Sequence, residues 1–436
     1  MKKSKYILSL GLGVLMSAML LTGCGGSNDG KDSKGGKASA KKEKITIGIW
    51  SEEQKPTTQA LIDAYKKEHK DIDISIQLTP YKGGEYWTKL EASATGGTAP
   101  DVFWMNTLHA QDYKEGGILA DLTDYIKKSD LDLEKDFPEA LVENYTFDDA
   151  VYAIPKDFDT SGLFYNKDFF DKANLEYPTD DWTWDDFVSA ARKLKEAGLD
   201  EGTYALAAPL DFQTDYYPTV YAKGGWILND DKTETGYNDP KTQEGIQMWI
   251  DLIDEELSPS LATMTDTSAD AMFEAGKIGM LMGGSYMLVE YQANDAINNK
   301  IDVVEFPEVD GVEPNVINGL GYSVFEGSKN KDAAADFAIW LGGAEAMKIQ
   351  GEKGAVISAR NDAQKYFAEA NKDLNLAAFT NHADVANPLP VCKSSAELYD
   401  LEANELKWAY SGEKTLQEAC SSLKEKADEV LDKMNK

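Results

Sequence analysis

Two carboxylates and a hydroxyl stand close together in one short polar segment. Asp157, Asp159 and Thr160 lie between an apolar run ending at Ile154-Pro155 and a second one beginning at Leu163. Side chains of these types accept hydrogen bonds from neutral polyols, and the aromatic rings that follow could cover the apolar faces of a sugar. A charged surface turn is the plainer interpretation of the same residues, and the rest of the chain has to decide between the two.

The same two acids also suggest a different chemistry, glycoside hydrolysis. Asp157 and Asp159 are two residues apart in an extended segment, so both side chains project to one side, as a pair of catalytic carboxylates would. The Asp-x-Asp-x-Glu pattern of chitinase-type enzymes needs a further acid at the fifth position, where this chain has Ser161. We therefore expect a binding protein and no enzyme, with a surface-anchored glycoside hydrolase as the alternative.

Composition limits the partners of the chain. Its 436 residues are enough for two domains with cores of their own. The 76 acidic and 44 basic residues leave a formal charge of -32, which repels phosphate backbones, so we expect no nucleic-acid partner. Three His and three scattered Cys argue against a zinc site, and we expect no metal and no cofactor. Cys392 and Cys420 could pair outside the cell, or remain as two buried free thiols.

The first residues have the layout of a secretory signal. Three lysines precede an apolar run from Ile7 to Leu21, which is short for a transmembrane span. The run ends in Leu21-Thr22-Gly23-Cys24, which resembles a bacterial lipobox. It predicts a signal peptide over 1-23 and a lipid-modified, fatty-acylated Cys24, with an ordinary secretory signal as the alternative. The Gly-, Ser- and Lys-rich residues that follow predict a flexible tether, so that 24-43 holds the lipidated Cys and the tether.

A β-α-β pattern begins at Lys44. Alternating isoleucines from Ile45 to Ile49 and from Ile72 to Leu78 predict two strands with a helix between them, and the apolar Pro100 to Asn106 predicts a third strand, buried on both faces. Ligands of such parallel sheets bind beyond the carboxyl ends of the strands. Those ends carry Trp50, Tyr81 and Asn106. Core packing is the alternative for Trp50, and a helix cap is the alternative for Asn106.

Further candidate residues lie on turns. Trp182 stands just outside a helix that Thr183 is predicted to cap, where it is free to face a cleft. Trp226 follows a Gly-Gly pair and is either a stacking platform or a cover over the core. Gly283-Gly284-Ser285-Tyr286 forms a strand-to-helix turn that lets a ligand approach the backbone closely, although it lacks the lysine of a phosphate-binding loop.

Six groups of residues, in this order along the chain from about Lys44 onward, resemble extracellular solute-binding proteins of family 1, the sugar-binding lipoproteins of ATP-driven importers. Each motif is weak alone, but their order behind a lipobox is specific. They are Gly96 to Asn106; Ile154 to Thr160 with Tyr165 to Asp168; Trp182 to Asp186; Phe273 to Met280 with Gly283 to Ser285; Asn318 to Tyr322; and Gly354 to Arg360.

The resemblance implies an α/β chain with the two-lobed periplasmic-binding-protein-like fold (type II) and a ligand in the interlobe cleft. It implies that 44-122 plus 306-347 form lobe 1, and that 123-305 plus 348-436 form lobe 2 with the C-terminal helices packing across it. Position by position, it implies that the ligand-binding residues are Trp50, Tyr81, Asn106, Asp159, Trp182, Trp226, Ser285, Tyr286, Gly319 and Arg360. Proteins of this family often have Trp where Tyr286 stands. Asp157 is expected to anchor the turn.

The function that the resemblance implies is sugar capture. We expect a monomer on the extracellular face of the bacterial cytoplasmic membrane that closes its lobes on a neutral di- or oligosaccharide. The closed protein would deliver the sugar to the membrane permease of an ABC importer. Closure is favoured by the sugar because only in the closed form do both lobes contact it.

Overall fold

The computed structural model describes residues 43–81, 84–383 and 385–434. The signal peptide, Cys24 and most of the tether predicted from the sequence lie outside these ranges. The strands are β1 Glu43–Ile49, β2 Ile72–Leu78, β3 Val102–Met105, β4 Thr146–Phe147, β5 Ala150–Val151, β6 Ile154–Pro155, β7 Asp157–Phe158, β8 Ser161–Asn166, β9 Met280–Gly284, β10 Ile301–Glu305, β11 Val316–Ile317, β12 Gly321–Val324, β13 Ile357–Ser358 and β14 Asn387–Pro388.

The helices surround these strands, and two of the longest come at the C-terminal end of the chain. They are α1 Lys55–Glu68, α2 Glu85–Thr95, α3 Thr107–Glu115, α4 Thr123–Ile126, α5 Leu133–Asp136, α6 Glu139–Glu143, α7 Lys167–Ala173, α8 Trp184–Glu196, α9 Tyr217–Ala222, α10 Pro240–Asp254, α11 Leu261–Asp266, α12 Ala269–Glu274, α13 Leu288–Ala293, α14 Lys331–Leu341, α15 Ala344–Glu352, α16 Lys365–Ala370, α17 Ser395–Tyr410 and α18 Leu416–Met434. Phe212–Tyr216 form a π-helical turn before α9, and Ser285–Met287 and Leu376–Phe379 form 3₁₀ turns.

The first lobe is built on a five-stranded sheet of order β2-β1-β3-β12-β6. Strands β1, β2 and β3 are parallel, as the β-α-β pattern predicts, and β12 runs antiparallel to β3 and β6. Helices α1 and α14 pack on one face of this sheet, and α2 and α3 pack on the other. All of β3 is buried, which explains its uninterrupted apolar sequence.

The second lobe is built on a three-stranded antiparallel sheet of order β10-β8-β9. Alternate residues of β8 face two different cores: Leu163 and Tyr165 pack with α8, α10, α17 and α18, while Phe164 packs with α12 and α13. The C-terminal helices therefore belong to the core of this lobe. Cys392 and Cys420 are buried there as free thiols. No helix among the described residues combines the length and apolar character that crossing a membrane requires.

The segment from β6 to β8 passes from one sheet to the other. All of its residues from Lys156 to Thr160 are buried, which contradicts the interpretation of this segment as a charged surface turn. A second connection, from β11 to β12, runs antiparallel beside it, and the backbones of Asp159 and Asn318 exchange two hydrogen bonds of 2.9 and 3.1 Å. The segment with Asp157 and Asp159 thus lies between the lobes, paired with the second connection.

The lobe boundaries differ from the division expected from the sequence. Ile154–Pro155 completes the five-stranded sheet of lobe 1, although the expected division placed 123-305 in lobe 2. Phe306 packs in the core of the second lobe, and Ile349 packs against the core of the first. The physical reason is that a short edge strand such as β6 gains its stability from the sheet that it joins, which its own sequence does not specify.

Candidate ligand-binding cleft

An aromatic cluster forms the wall of the cleft on the first lobe. The ring of Trp50, just after β1, lies 4.9 Å from Tyr86, 5.1 Å from Trp104 and 5.4 Å from Tyr81, measured between ring centroids. Trp50 is half-buried by these neighbours, whereas Tyr81 is 46% exposed. The interior rings thus hold Trp50 in place, and Tyr81 offers a free face on which a sugar ring could stack.

A chain of hydrogen bonds connects the first lobe to Asp159. The Thr107 hydroxyl, at the start of α3, donates to Asn318 Oδ1 over 3.0 Å. Asn318 Nδ2 donates to Gln213 Oε1 over 3.2 Å, and Gln213 Nε2 donates to Asp159 Oδ2 over 2.8 Å. The chain joins α3, one crossing connection, the π-helical turn and the other crossing connection. It fixes the orientation of each amide and, among the described residues, leaves the second carboxyl oxygen of Asp159 without a side-chain donor.

Asp159 is 8% exposed, and its protonation state is unusual. Burial and the neighbouring charge of Asp157 raise its pKa to about 8, outweighing the hydrogen bond from Gln213. The carboxyl group is therefore largely neutral at pH 7, where it can donate as well as accept a hydrogen bond. A sugar hydroxyl also donates and accepts, which makes it a suitable partner for this group.

Lys156 and Asp157 form a buried ion pair beside Asp159. Lys156 Nζ also donates to Gln54 Oε1 over 3.1 Å and lies 4.4 Å from the centroid of the Trp104 ring. Asp157 Oδ1 accepts from the backbone N–H of Leu320 over 2.8 Å. The prediction that Asp157 anchors the turn is confirmed by these bonds. Both carboxyl oxygens of Asp157 therefore have partners within the protein.

The second lobe contributes a cavity of about 300 Å³ beside Tyr286. Asp211, Thr214 and Asp270 line it, and the ring of Tyr286 is 39% exposed. Desolvation of its hydroxyl, together with the charges of Asp211, Asp159 and Asp270, raises the pKa of Tyr286 well above its ordinary value. Tyr286 therefore stands within electrostatic range of Asp159 and supplies an aromatic surface with several hydrogen-bond acceptors around it.

Carboxylates from both lobes meet at one end of the cleft. A cavity of about 390 Å³ is lined by Glu53 from the first lobe and by Glu274, Glu290 and Asp295 from the second. Burial, together with the charges of Glu53, Glu274 and Asp270, raises the pKa of Glu290 to about 7. Like charges thus oppose each other across the cleft.

Glu290→Gln is expected to flatten part of the pH dependence of stability. An acid whose pKa is raised by folding makes the folded state less favourable as pH rises from its ordinary 4.5 through about 7. The Gln side chain cannot ionise, so the variant should be more stable than the wild type by about 1 kcal/mol near pH 8 and equally stable near pH 4. The difference near pH 8 is smaller than the full pKa shift implies because solvent screens the partly exposed Glu290.

Denaturant unfolding at about pH 4, 6 and 8 measures this difference. Glu196→Gln, at the exposed end of α8, is the matched control and should leave the pH profile unchanged. An identical pH slope in Glu290→Gln and wild type would show that the charges across the cleft do not act on Glu290.

Three further residues predicted to bind the ligand, Asn106, Gly319 and Ser285, lie at buried positions of the two lobes and of a crossing connection. Asn106 caps α3, and its Oδ1 accepts a hydrogen bond from the His109 N–H over 3.2 Å. A helix cap was the alternative interpretation of this residue. Gly319 lies against the Asp157 carbonyl oxygen, which a Cβ atom would approach to 2.1 Å, so only glycine fits there. Ser285 is buried, and among the described residues its Oγ has no hydrogen-bond partner.

Trp182, Trp226 and Arg360 contact residues other than Asp159. Trp182 packs near Phe170, with ring centroids 6.4 Å apart, at the edge of the lobe 2 core. The Trp226 indole N–H donates to Asp239 over 3.2 Å, and its ring packs on Gly236. Arg360 forms ion pairs with Asp136 at 2.7 Å and Asp362 at 2.9 Å. These packing contacts and ion pairs hold the three side chains in place, and their expected contacts with a ligand stay predictions.

Five polar residues of the cleft were not among those predicted. Three complete the hydrogen-bond chain and two line the cavity beside Tyr286; they are Thr107, Gln213, Asn318, Asp211 and Asp270. Asn318 opens one of the motifs noted in the sequence, which is a signal that could have identified it. Gln213 lies in a π-helical turn, which apolar periodicity does not reveal.

Comparison with known proteins gives a consistent result. A family model described as bacterial extracellular solute-binding protein matches residues 50–348. The galactooligosaccharide-binding protein of Bacillus subtilis is 23% identical over 415 residues, covering 91% of each chain. An ABC substrate-binding protein from Listeria monocytogenes, solved in complex with cycloalternan, is 27% identical with a TM-score of 0.81, covering 90% of this chain and 99% of that one. The GacH receptor of Streptomyces glaucescens, with a TM-score of 0.77 and 23% identity, covers 90% and 99% of the two chains and shares the fold.

Proposed function

Because the chain belongs to the bacterial extracellular solute-binding protein family, we propose that it captures a neutral di- or oligosaccharide between its lobes and delivers it to the permease of an ABC importer. The observation that carries this proposal is the oriented Asp159 carboxyl group, which lies within electrostatic range of Tyr286, as does Tyr81; the rings of both tyrosines are exposed. Relatives with oligosaccharides in their names or structures support the ligand class.

Lobe closure is the proposed mechanism of capture. Tyr81 belongs to the first lobe, Tyr286 to the second, and Asp159 to a crossing connection, so a sugar between them contacts all three parts. Such a ligand favours the closed form because the open form offers only some of these contacts. The Thr107–Asn318–Gln213 hydrogen bonds join one crossing connection to a helix of the first lobe and to a turn of the second.

The proposal includes attachment to the membrane through Cys24. The lipobox-like Leu21 to Cys24 supports cleavage before Cys24 and lipidation of its sulfur, and the polar residues after it would let the lobes stand off the membrane surface. The protein would act there as a monomer on the extracellular face. Mass spectrometry of the mature protein from its native membrane tests this, and an unmodified Cys24 or an intact signal peptide would contradict it.

A screen of neutral saccharides by thermal shift is the experiment that tests sugar binding. A ligand present at a hundred times its dissociation constant should stabilise the protein by about 2.7 kcal/mol. Incubating the protein overnight with the sugars that bind separates capture from hydrolysis, since release of a shorter product would support the glycoside hydrolase. The absence of any stabilisation across di- to hexasaccharides would contradict sugar capture.

Tyr286→Ala is expected to weaken sugar binding by roughly tenfold. Loss of an aromatic stacking surface costs about 1 kcal/mol or more. Tyr286→Trp should retain or improve binding, because the larger ring keeps the stacking surface. Calorimetric titration of both variants measures the effect, with Tyr177→Ala, another exposed tyrosine of the second lobe, as the control. Equal affinity of Tyr286→Ala and wild type would remove this ring from the binding surface.

A further inference from the structure

Three metal-ligating side chains meet on the second lobe, outside the cleft residues described above. Glu305 is the last residue of β10, Glu313 lies in the loop that follows, and His382 lies in the segment before β14. His382 Nε2 is 2.7 Å from Glu305 Oε2 and 3.4 Å from Glu313 Oε2. The three ligand atoms all lie within 4.8 Å of one another, although the residues are far apart in the sequence.

The environment of these side chains favours a cation. Glu305 is buried, at 7% exposed, and among the described residues neither Glu305 nor Glu313 forms an ion pair with a Lys or Arg. Glu308 lies within electrostatic range of Glu313 and adds a further negative charge. A single imidazole therefore faces an excess of carboxylates, and burial of an uncompensated carboxylate is costly.

The geometry suits a small divalent transition metal ion. Ligand atoms at about 2.0–2.1 Å from a tetrahedral Zn²⁺ are separated by about 3.3 Å. The 3.4 Å distance from His382 to Glu313 already fits, and the 2.7 Å distance to Glu305 must lengthen by roughly half an ångström. The two carboxylate oxygens, at most 4.8 Å apart, must take up the same separation. Asn381 Nδ2 donates to Glu305 Oε1 over 2.6 Å and leaves Oε2 free to face His382. Bonds of this kind orient ligands in metal sites.

We propose that Glu305, Glu313 and His382 bind one Zn²⁺ ion, with Asn381 orienting the Glu305 carboxylate and water completing the coordination. The nitrogen ligand selects Zn²⁺ over Ca²⁺ or Mg²⁺, which prefer oxygen ligands. The expectation from composition was that the chain has no metal site. Composition carried no signal because the site needs only one His and no Cys, and its ligands are brought together by the fold.

The ion would fasten the strand pair that leads to the cleft. The segment with His382 continues into β14, which pairs in parallel with β11, and Glu313 stands three residues before β11. Asn318, which directly follows β11, belongs to the hydrogen-bond chain that reaches Asp159. Metal bound to both segments would therefore hold one of the crossing connections at its second-lobe end.

Calorimetric titration of the full chain with ZnCl₂, after dialysis against a chelator, tests the site. The expected result is one high-affinity Zn²⁺ per chain, accompanied by a higher melting temperature. Substituting Co²⁺ should give the visible absorption of a tetrahedral site with nitrogen and oxygen ligands. Failure to bind Zn²⁺ stoichiometrically, or binding of Ca²⁺ in preference to Zn²⁺, would overturn the proposal.

Four variants connect any binding to these side chains. His382→Ala should abolish the high-affinity event, and Asn381→Ala should weaken it by roughly 10- to 100-fold. Glu313→Gln keeps the test informative if the others fold poorly, because this side chain is exposed and its replacement should still weaken binding by at least about tenfold. His69→Ala, a histidine on the C-terminal side of α1 stacked on Tyr65, is the matched control. Equal Zn²⁺ affinity of wild type, His382→Ala and Glu313→Gln would assign the ion to another place.

Discussion

Asp159→Asn is expected to weaken sugar binding by roughly 10- to 100-fold while leaving the protein as stable as the wild type or more so. The neutral carboxyl group can both donate to and accept from a sugar hydroxyl, whereas the amide nitrogen that faces the sugar in the variant can only donate. A buried polar group that loses its partner costs about 1–3 kcal/mol. The amide oxygen of the new side chain can still accept from Gln213 Nε2, so the hydrogen-bond chain is retained.

The stability effect has a definite sign. Because burial raises the pKa of Asp159 to about 8, the folded state becomes less favourable as pH rises from the ordinary value of 3.8 through 8. An asparagine side chain does not ionise, so the variant should melt at a higher temperature than the wild type near pH 8 to 9 and at the same temperature near pH 4. A substitution that stabilises the fold and removes binding is characteristic of a functional residue.

Calorimetric titration with a bound sugar and thermal melts across this pH range measure the two effects on the same samples. Asp230→Asn, at an exposed position of the second lobe, is the control and should change neither. Unchanged sugar affinity in Asp159→Asn would exclude the residue from the binding site. A lower melting temperature at every pH would show instead that its role is structural.

Glu402→Ala is expected to lower the free energy of unfolding by about 4 kcal/mol. The Glu402 carboxylate, in α17, accepts hydrogen bonds from the hydroxyls of Tyr216, Tyr217 and Tyr237, and all four side chains are buried. Each buried hydroxyl that loses its acceptor costs about 1–3 kcal/mol, and the removed side chain leaves a cavity as well. The three costs are not additive, since the hydroxyls can rearrange.

Equilibrium unfolding in urea measures this loss, with the exposed Asp400→Ala on the same helix as the control. Glu402→Gln keeps one acceptor oxygen and should lose less than the alanine variant. Tyr216 also ends the π-helical turn that carries Gln213, so sugar affinity should fall together with stability in Glu402→Ala. A loss below about 1 kcal/mol in the alanine variant would show that the three hydroxyls do not depend on Glu402.

The sequence predicted most of the first lobe's sheet because its pattern reflects burial directly. The isoleucines of β1 alternate because they pack in one core with α1 and α14, and β3 is apolar throughout because both of its faces are covered. The position of Tyr81 just beyond a strand end could be read in the same way. In each case, neighbours in the sequence determine the environment.

Other parts of the cleft depend on contacts between distant segments. The partners of Asp159 are Gln213 and Asn318. Neither their residue types nor their spacing in the sequence predicts that a π-helical turn and a crossing connection meet at Asp159. For Trp182 and Trp226, the sequence leaves two environments open. A tryptophan in a turn has the same sequence context whether it faces a ligand or packs at the edge of a core, and burial against neighbouring elements decides between them.

The two buried thiols make this protein suitable for conversion into an optical reporter of its ligand. Burial raises the pKa of Cys392 above its ordinary value and that of Cys420 to about 12, so neither thiol reacts readily with maleimide dyes. In a chain that begins after Cys24, one cysteine introduced on an exposed face of each lobe would therefore be labelled selectively. Energy transfer between the two dyes would then report lobe movement in real time, with the native thiols left in place.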